Sequence, residues 1–198
     1  EYGYCAFDPV CNCIYVSGQV IGTVNFGGIT FGGSFGSDDI FLAKMDLNGN
    51  FIWVKKGGGS GMDQSQLFLH NSGKIYLITQ SEDSSQFGNF NLPSGGALVQ
   101  YDSAGNCLSA ETKFTQAIFN DYNQVKLAYN DHDLYYYGSF RTSAFQLDTA
   151  NLINQGQADA FLSQADSNGN VKWVKQFGYS GVDYINDLVV SNNSLYAV

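Results

Sequence analysis

Six aspartates stand out for the reactivity of their carboxylates and their recurrence along the chain. Asp38, Asp39 and Asp159 stand before strand-like runs such as Ile40-Phe41-Leu42, and Asp63, Asp121 and Asp183 each stand before the first strand-like run of a repeat. Carboxylates gathered on one rim would suit a hard cation such as calcium, or would accept hydrogen bonds from sugar hydroxyls. The competing use is local, with each Asp side chain satisfying the backbone N–H groups of its own loop. Exposed aromatics could serve as sugar platforms, and Tyr122, Tyr136, Tyr137, Tyr179 and Tyr184 are the candidates. The same residue types also fill the space between packed sheets.

Other chemistries fail on spacing. Gly32-Gly33-Ser34-Phe35-Gly36 matches the G-x-S-x-G string, but that motif works on a strand-to-helix elbow with a histidine partner. Here it lies in a Gly-rich stretch, and the two histidines, His70 and His132, fall near turns. Asp46-Leu47-Asn48-Gly49-Asn50 and its kin resemble calcium loops only faintly. The Gly is fourth, not sixth, and position twelve is Gly57, not Glu, so these strings read as hairpin turns. Gly57-Gly58-Gly59-Ser60-Gly61 lacks the lysine of a phosphate loop and reads as a linker. No catalytic residue, cofactor or metal set emerges, and the chain reads as a non-enzyme.

Four cysteines, Cys5, Cys11, Cys13 and Cys107, permit three full disulfide pairings, and the sequence does not choose among them. Cys11-Asn12-Cys13 could hold a metal, but there is no second such pair. A disulfide, or small buried hydrophobes, fits better.

The elements that position these residues follow from an internal period. Cys13-Ile14-Tyr15-Val16 returns as Lys74-Ile75-Tyr76-Leu77, Asp133-Leu134-Tyr135-Tyr136 and Ser194-Leu195-Tyr196-Ala197, with tyrosine spacings of 61, 59 and 61. Asp46-Leu47-Asn48-Gly49-Asn50 returns as Asp102-Ser103-Ala104-Gly105-Asn106 and Asp166-Ser167-Asn168-Gly169-Asn170. Trp53-Val54-Lys55 returns as Trp173-Val174-Lys175, while the middle copy has Ser109 in the Trp slot. Each copy holds four strand candidates, in the second copy 65–69, 74–79, 97–101 and 107–114, with a longer Gly/Phe-rich link between second and third. No window sustains a 3.6-residue period with caps, so the chain is all-β. A four-stranded unit apolar on both faces needs neighbours on both sides. Radial stacking supplies them, so the expected fold is a β-propeller, with a double-sheet sandwich as the alternative. Its expected blades are residues 1–60, 61–119, 120–181 and a partial 182–198, within one partial propeller spanning 1–198.

Composition agrees. The 198 residues include 28 Phe or Tyr and 23 Gly, and only 14% are charged, against about 25% in typical domains. That aromatic load excludes intrinsic disorder. Net charge −9 repels phosphate backbones and anionic lipids, which argues against nucleic-acid and membrane-surface roles. No apolar run reaches bilayer length. The opening Glu1-Tyr2-Gly3-Tyr4 has no Met and no apolar signal segment, so the chain reads as an excised or matured part of a longer polypeptide.

At Tyr15-Val16-Ser17-Gly18, Phe26-Gly27, Asp39-Ile40-Phe41-Leu42-Ala43-Lys44, Asp46-Leu47-Asn48-Gly49 and Trp53-Val54-Lys55-Lys56-Gly57-Gly58, the sequence resembles the SBBP-type bacterial β-propeller repeats. The third copy matches at Asp159-Ala160-Phe161-Leu162, Asp166-Ser167-Asn168-Gly169 and Trp173-Val174-Lys175-Gln176-Phe177-Gly178. The second copy departs, with Ser109 for Trp and Gly96 where Asp39 would sit. The resemblance implies a large secreted or surface-attached bacterial protein, often a client of type IX secretion, and it carries no shared catalytic residues. The expected function is a non-catalytic extracellular scaffold for protein–protein contacts, continuous with further blades. A glycan-binding module of a larger adhesin or polysaccharide-acting enzyme is the alternative.

Overall fold

The computed structural model describes residues 3–31, 36–69, 73–114, 125–130, 132–191 and 194–198. Strands are the only regular elements among them, so the all-β reading holds. The first repeat contains β1 (Gly3–Asp8), β2 (Cys13–Val20), β3 (Val24–Phe26), β4 (Ile29–Phe31), β5 (Asp39–Asp46) and β6 (Phe51–Gly59). The second contains β7 (Asp63–Leu69), β8 (Ile75–Ser81), β9 (Ser85–Phe87), β10 (Phe90–Leu92), β11 (Gly95–Tyr101) and β12 (Cys107–Phe114). The third contains β13 (Val125–Tyr129), β14 (Leu134–Phe140), β15 (Ala144–Leu147), β16 (Ala150–Ile153), β17 (Asp159–Ala165) and β18 (Val171–Phe177). A last hairpin, β19 (Leu188–Ser191) and β20 (Ser194–Ala197), begins a fourth.

The four long strands of each repeat lie in chain order within an antiparallel sheet: β1-β2-β5-β6, β7-β8-β11-β12 and β13-β14-β17-β18. The register keeps the copies in phase. Tyr15 lies opposite Lys44, Tyr76 opposite Gln100 and Tyr135 opposite Gln164, each partner two residues before the turn aspartate. The same register places Gly95, not Gly96, in the slot of Asp39 and Asp159, because all three stand seven residues before that aspartate.

The Gly/Phe-rich link between second and third strands is more ordered than the sequence indicates. It forms a small hairpin in every repeat: β3–β4, β9–β10 and β15–β16. Each turns through a residue in the left-handed region, Gly27 (φ 57°), Gly88 (φ 58°) and Asp148 (φ 52°). Asp148 is not a glycine, and its carboxylate accepts the N–H of Val171 at 3.0 Å, which fastens the turn to the start of β18. The hairpin of one repeat pairs with the fourth strand of the repeat before it. Gly57, Gly58 and Gly59 of β6 face Phe87, Gln86 and Ser85 of β9, and Phe114 of β12 faces Leu147 of β15.

Two compact units result, Glu1–Thr112 and Lys113–Val198. In the first, Tyr15, Ile40 and Leu42 of the first repeat pack with Leu67, Ile75, Leu77, Val99 and the fully buried Phe87 of the second. In the second, Phe140, Phe145 and Phe161 stack within about 5–7 Å of one another, the contact distance of favourable aromatic pairs. Tyr135, Tyr137, Leu162 and Leu188 form a separate cluster.

The Phe87 ring packs against the backbone at Gly57, where an added Cβ would overlap ring carbons. Gly57→Ala should therefore cost about 1–3 kcal/mol by overpacking, and Phe87→Ala about 3–5 kcal/mol by leaving a cavity. In the double variant the overlap disappears, so urea unfolding should give a combined loss well below the sum. Additive losses would mean that the ring does not rest on Gly57.

Candidate functional site

The turn aspartates account for themselves first. Asp46 Oδ1 accepts the N–H groups of Asn48 and Asn50 at 2.9 Å each, and its Oδ2 accepts the Asn50 amide. Asp102 and Asp166 repeat the pattern with Ala104 and Asn106, and with Asn168 and Asn170. These bonds favour the ionised form and hold all three carboxyls below their usual range. They are hairpin turns, as their spacing indicates.

The six candidate aspartates divide by unit. In the first, Asp39 opens β5 and Asp63 opens β7, and both are buried. Their side chains converge on Gly58, where a Cβ would lie 3.1 Å from Asp39 Oδ1 and 2.5 Å from Asp63 Oδ2. Gly58 has φ 137°, so both the backbone conformation and the two carboxyls require glycine there. Asp63 Oδ2 accepts the N–H of Gly59 at 2.7 Å, its own N–H donates to Asp38 O at 3.1 Å, and its carbonyl accepts Gln19 Nε2 at 2.7 Å. Lys56 Nζ stands 3.6 Å from Asp39 Oδ2. Asp38 is half-buried and contributes main-chain atoms.

The second unit repeats this arrangement at Asp159 and Asp183. Asp159 is buried, lies against Gly178, and accepts the N–H of Gln155 at 3.0 Å and the Gln176 amide. Asp183 accepts the N–H of Tyr179 at 3.2 Å and donates its own N–H to Ala158 O at 2.9 Å. Gln176 stands where Lys56 stands in the first repeat, so the first copy carries a cation that the third lacks. Asp121 lies outside the described residues, as do Tyr122, His70 and the stretch 32–35.

Three of these carboxyls are buried, and two of them accept backbone N–H groups, Asp63 from Gly59 and Asp159 from Gln155. Asp39, Asp63 and Asp159 are each 1% exposed or less. Asp63 Oδ1 and Asp159 Oδ1 make no hydrogen bond among the described residues. Burial raises the Asp63 carboxyl to about 6. The neighbouring charges of Asp39 and Asp83 add to the rise, and the Gly59 N–H and the Ser81 hydroxyl beside it oppose it. Of the proposed sugar platforms, Tyr136 and Tyr137 are buried, while Tyr179 and Tyr184 are 78% and 53% exposed on either side of Asp183.

No protein-family model and no curated protein matches this chain. Function therefore rests on the residues themselves.

One cysteine pair was legible as a type and not as a pairing. Cys11 and Cys13 form a disulfide across the β1–β2 turn, while Cys5 is an exposed thiol and Cys107 a half-buried one. Burial pushes the Cys107 thiol up to about 11, which leaves it an inert side chain at neutral pH.

The Asp63 carboxyl gives the fold a pH signature. Its folded pKa of about 6 exceeds the unfolded value of 3.8, so the folded chain holds the proton more tightly through that window. Ionising Asp63 then opposes folding: its contribution is absent below about pH 4 and grows to roughly 3 kcal/mol of lost stability above pH 6. Urea midpoints should fall between pH 4.5 and 7, and Asp63→Asn should flatten that fall. An unchanged slope in the variant would remove Asp63 as its source.

Proposed function

We propose that the repeats are blades of a β-propeller of the SBBP type, belonging to a secreted or cell-surface bacterial protein, and that they serve as a non-catalytic scaffold for protein–protein contacts. The observation that carries this reading is the hairpin pairing. Each repeat is a four-stranded meander with an inserted hairpin, and in the second and third repeats that hairpin bonds to the last strand of the repeat before it. Such a rule has no natural end in a flat sandwich but closes on itself in a ring. Further blades of the same polypeptide are then the proposed neighbours of β18, which forms the last strand of its sheet.

The scaffold reading also draws on what the surface offers. The Asp63 and Asp159 carboxyls are buried and accept backbone N–H groups, which favours a structural use for them. Phe177, Tyr179, Tyr184, Val189 and Tyr196 stand exposed in the second unit, the kind of aromatic-rich surface that partner proteins cover. The Cys11–Cys13 bond suits an oxidising compartment. The second reading, a glycan-binding module, draws on Tyr179 and Tyr184, two exposed tyrosines that stand before and after Asp183 in the chain.

The two readings separate at Tyr179. With a photo-crosslinking side chain at position 179 and the protein displayed on its native cell, the scaffold predicts a discrete adduct with one identifiable protein. Calorimetry against a panel of bacterial and host glycans should show no heat of binding. Saturable sugar binding that Tyr179→Ala abolishes would overturn the scaffold in favour of the glycan module.

A further inference from the structure

Among the described residues, one place brings three metal-ligating side chains together. The ligand atoms of Asp8, Cys11 and Cys13 all lie within 4.8 Å of one another. All three belong to the turn that joins β1 and β2. Asp8 ends β1 and is 5% exposed; Cys13 begins β2 and is 3% exposed; Cys11 is exposed between them. Asp8 Oδ1 accepts the N–H of Val10 at 2.8 Å, which fixes the carboxylate over the turn.

In the structure the two cysteines share a disulfide, with Cα atoms 5.3 Å apart. The fold has little need of that bond. It closes a ring of three residues, for which the chain-entropy gain is roughly half that of a 15-residue ring. The turn is set by other means: an unbroken ladder from Gly3↔Gly18 to Asp8↔Cys13, and Asn12 in the left-handed region at φ 51°. The bond is therefore accessible at Cys11, dispensable to the strands, and backed by a buried carboxylate.

We propose that reduction of the Cys11–Cys13 bond converts this turn into a zinc site, with two thiolates and the Asp8 carboxylate as ligands and a fourth position open to water. The reductant is a dithiol. Its first thiolate attacks Cys11 Sγ, forms a mixed disulfide and releases the Cys13 thiolate. Its second thiolate displaces Cys11, leaving two cysteine thiols and the dithiol oxidised to its own disulfide. Zinc then displaces the two thiol protons. Two sulfurs and one oxygen suit a borderline-soft divalent cation. A tetrahedral site with zinc–sulfur bonds of about 2.3 Å separates its ligand atoms by roughly 3.8 Å, a spacing that a rotation of the exposed Cys11 side chain supplies. The oxidised and metal-bound states exclude each other, so the turn couples metal affinity to redox state.

The test uses the 198-residue chain and cobalt(II) as the spectroscopic probe for zinc. The chain reduced with a phosphine should take up one cobalt, with thiolate-to-metal absorption and the visible bands of a tetrahedral ion, and zinc should displace it. The oxidised chain should take up none. Cys11→Ser, at an exposed position that leaves folding intact, should abolish the signal, and Asp8→Asn should weaken cobalt binding by about tenfold or more, as loss of a ligand-sphere carboxylate does. Far-UV circular dichroism verifies that each variant is folded. No uptake by the reduced chain, equal uptake by the oxidised chain, or uptake unchanged in Cys11→Ser or Asp8→Asn would each overturn the site.

Discussion

The constraint on which everything else depends is that the inner strands are apolar on both faces. β11 and β14 are buried at every position, and β8 at all but one. A sheet with one wet face would alternate, as β18 does with its half-buried and exposed positions. A strand such as Gly95–Tyr101 cannot give water either side, so each sheet needs another against each face. With charged residues at only 14%, the sequence has few side chains with which to do otherwise. Repetition is then a consequence of two-faced burial: a unit that cannot stand alone is stabilised by copies of itself.

Close approach between repeats has a chemical cost, and the glycines and aspartates meet it together. Gly57 admits the Phe87 ring, and Gly58 admits two carboxyls where any side chain would collide with them. Gly105 does two things at once: it supplies the positive φ of its turn, and it leaves room for Lys55 and the Trp53 ring of the preceding repeat. Removing side chains at a seam exposes backbone N–H groups that no neighbour's side chain automatically satisfies. Asp63 meets that need at Gly59, and Asp183 meets it at Tyr179.

The period, the strand count in the four-stranded sheets and the turns were legible because each is a local statement. Asp46, Asp102 and Asp166 close their hairpins with bonds reaching no more than four residues, so five residues of sequence contain the whole argument. The inserted hairpins were not legible. Val24–Phe26 and Ser85–Phe87 are too short to show alternation, and what orders β9 is an edge strand some 28 residues earlier in the chain. Gly95, and not Gly96, takes the Asp39 slot because it stands seven residues before Asp102, and the strand register agrees, with Gly95 opposite Ser81 as Asp39 is opposite Val20. The aspartates were recognised as a set because they recur in phase. Their burial was invisible for the opposite reason: it is produced by neighbouring sheets, which no window of the sequence contains.

The two copies of the carboxyl seam show how a repeat can keep its geometry while changing its chemistry. Asp39 and Asp159 occupy the same register position, and each sits against a glycine with an extended positive φ. Beside Asp39 the next strand supplies Lys56, so the pair of acids there is partly neutralised by a cation. Beside Asp159 the same position supplies Gln176, which donates hydrogen bonds to Asp159 and to the Ile153 carbonyl but brings no charge. In the second repeat the acid itself is gone and Gly95 takes its place. The acid is therefore not needed for the meander to form. It stands in two copies out of three, and its neighbour changes from Lys56 to Gln176 while the glycine against it stays the same.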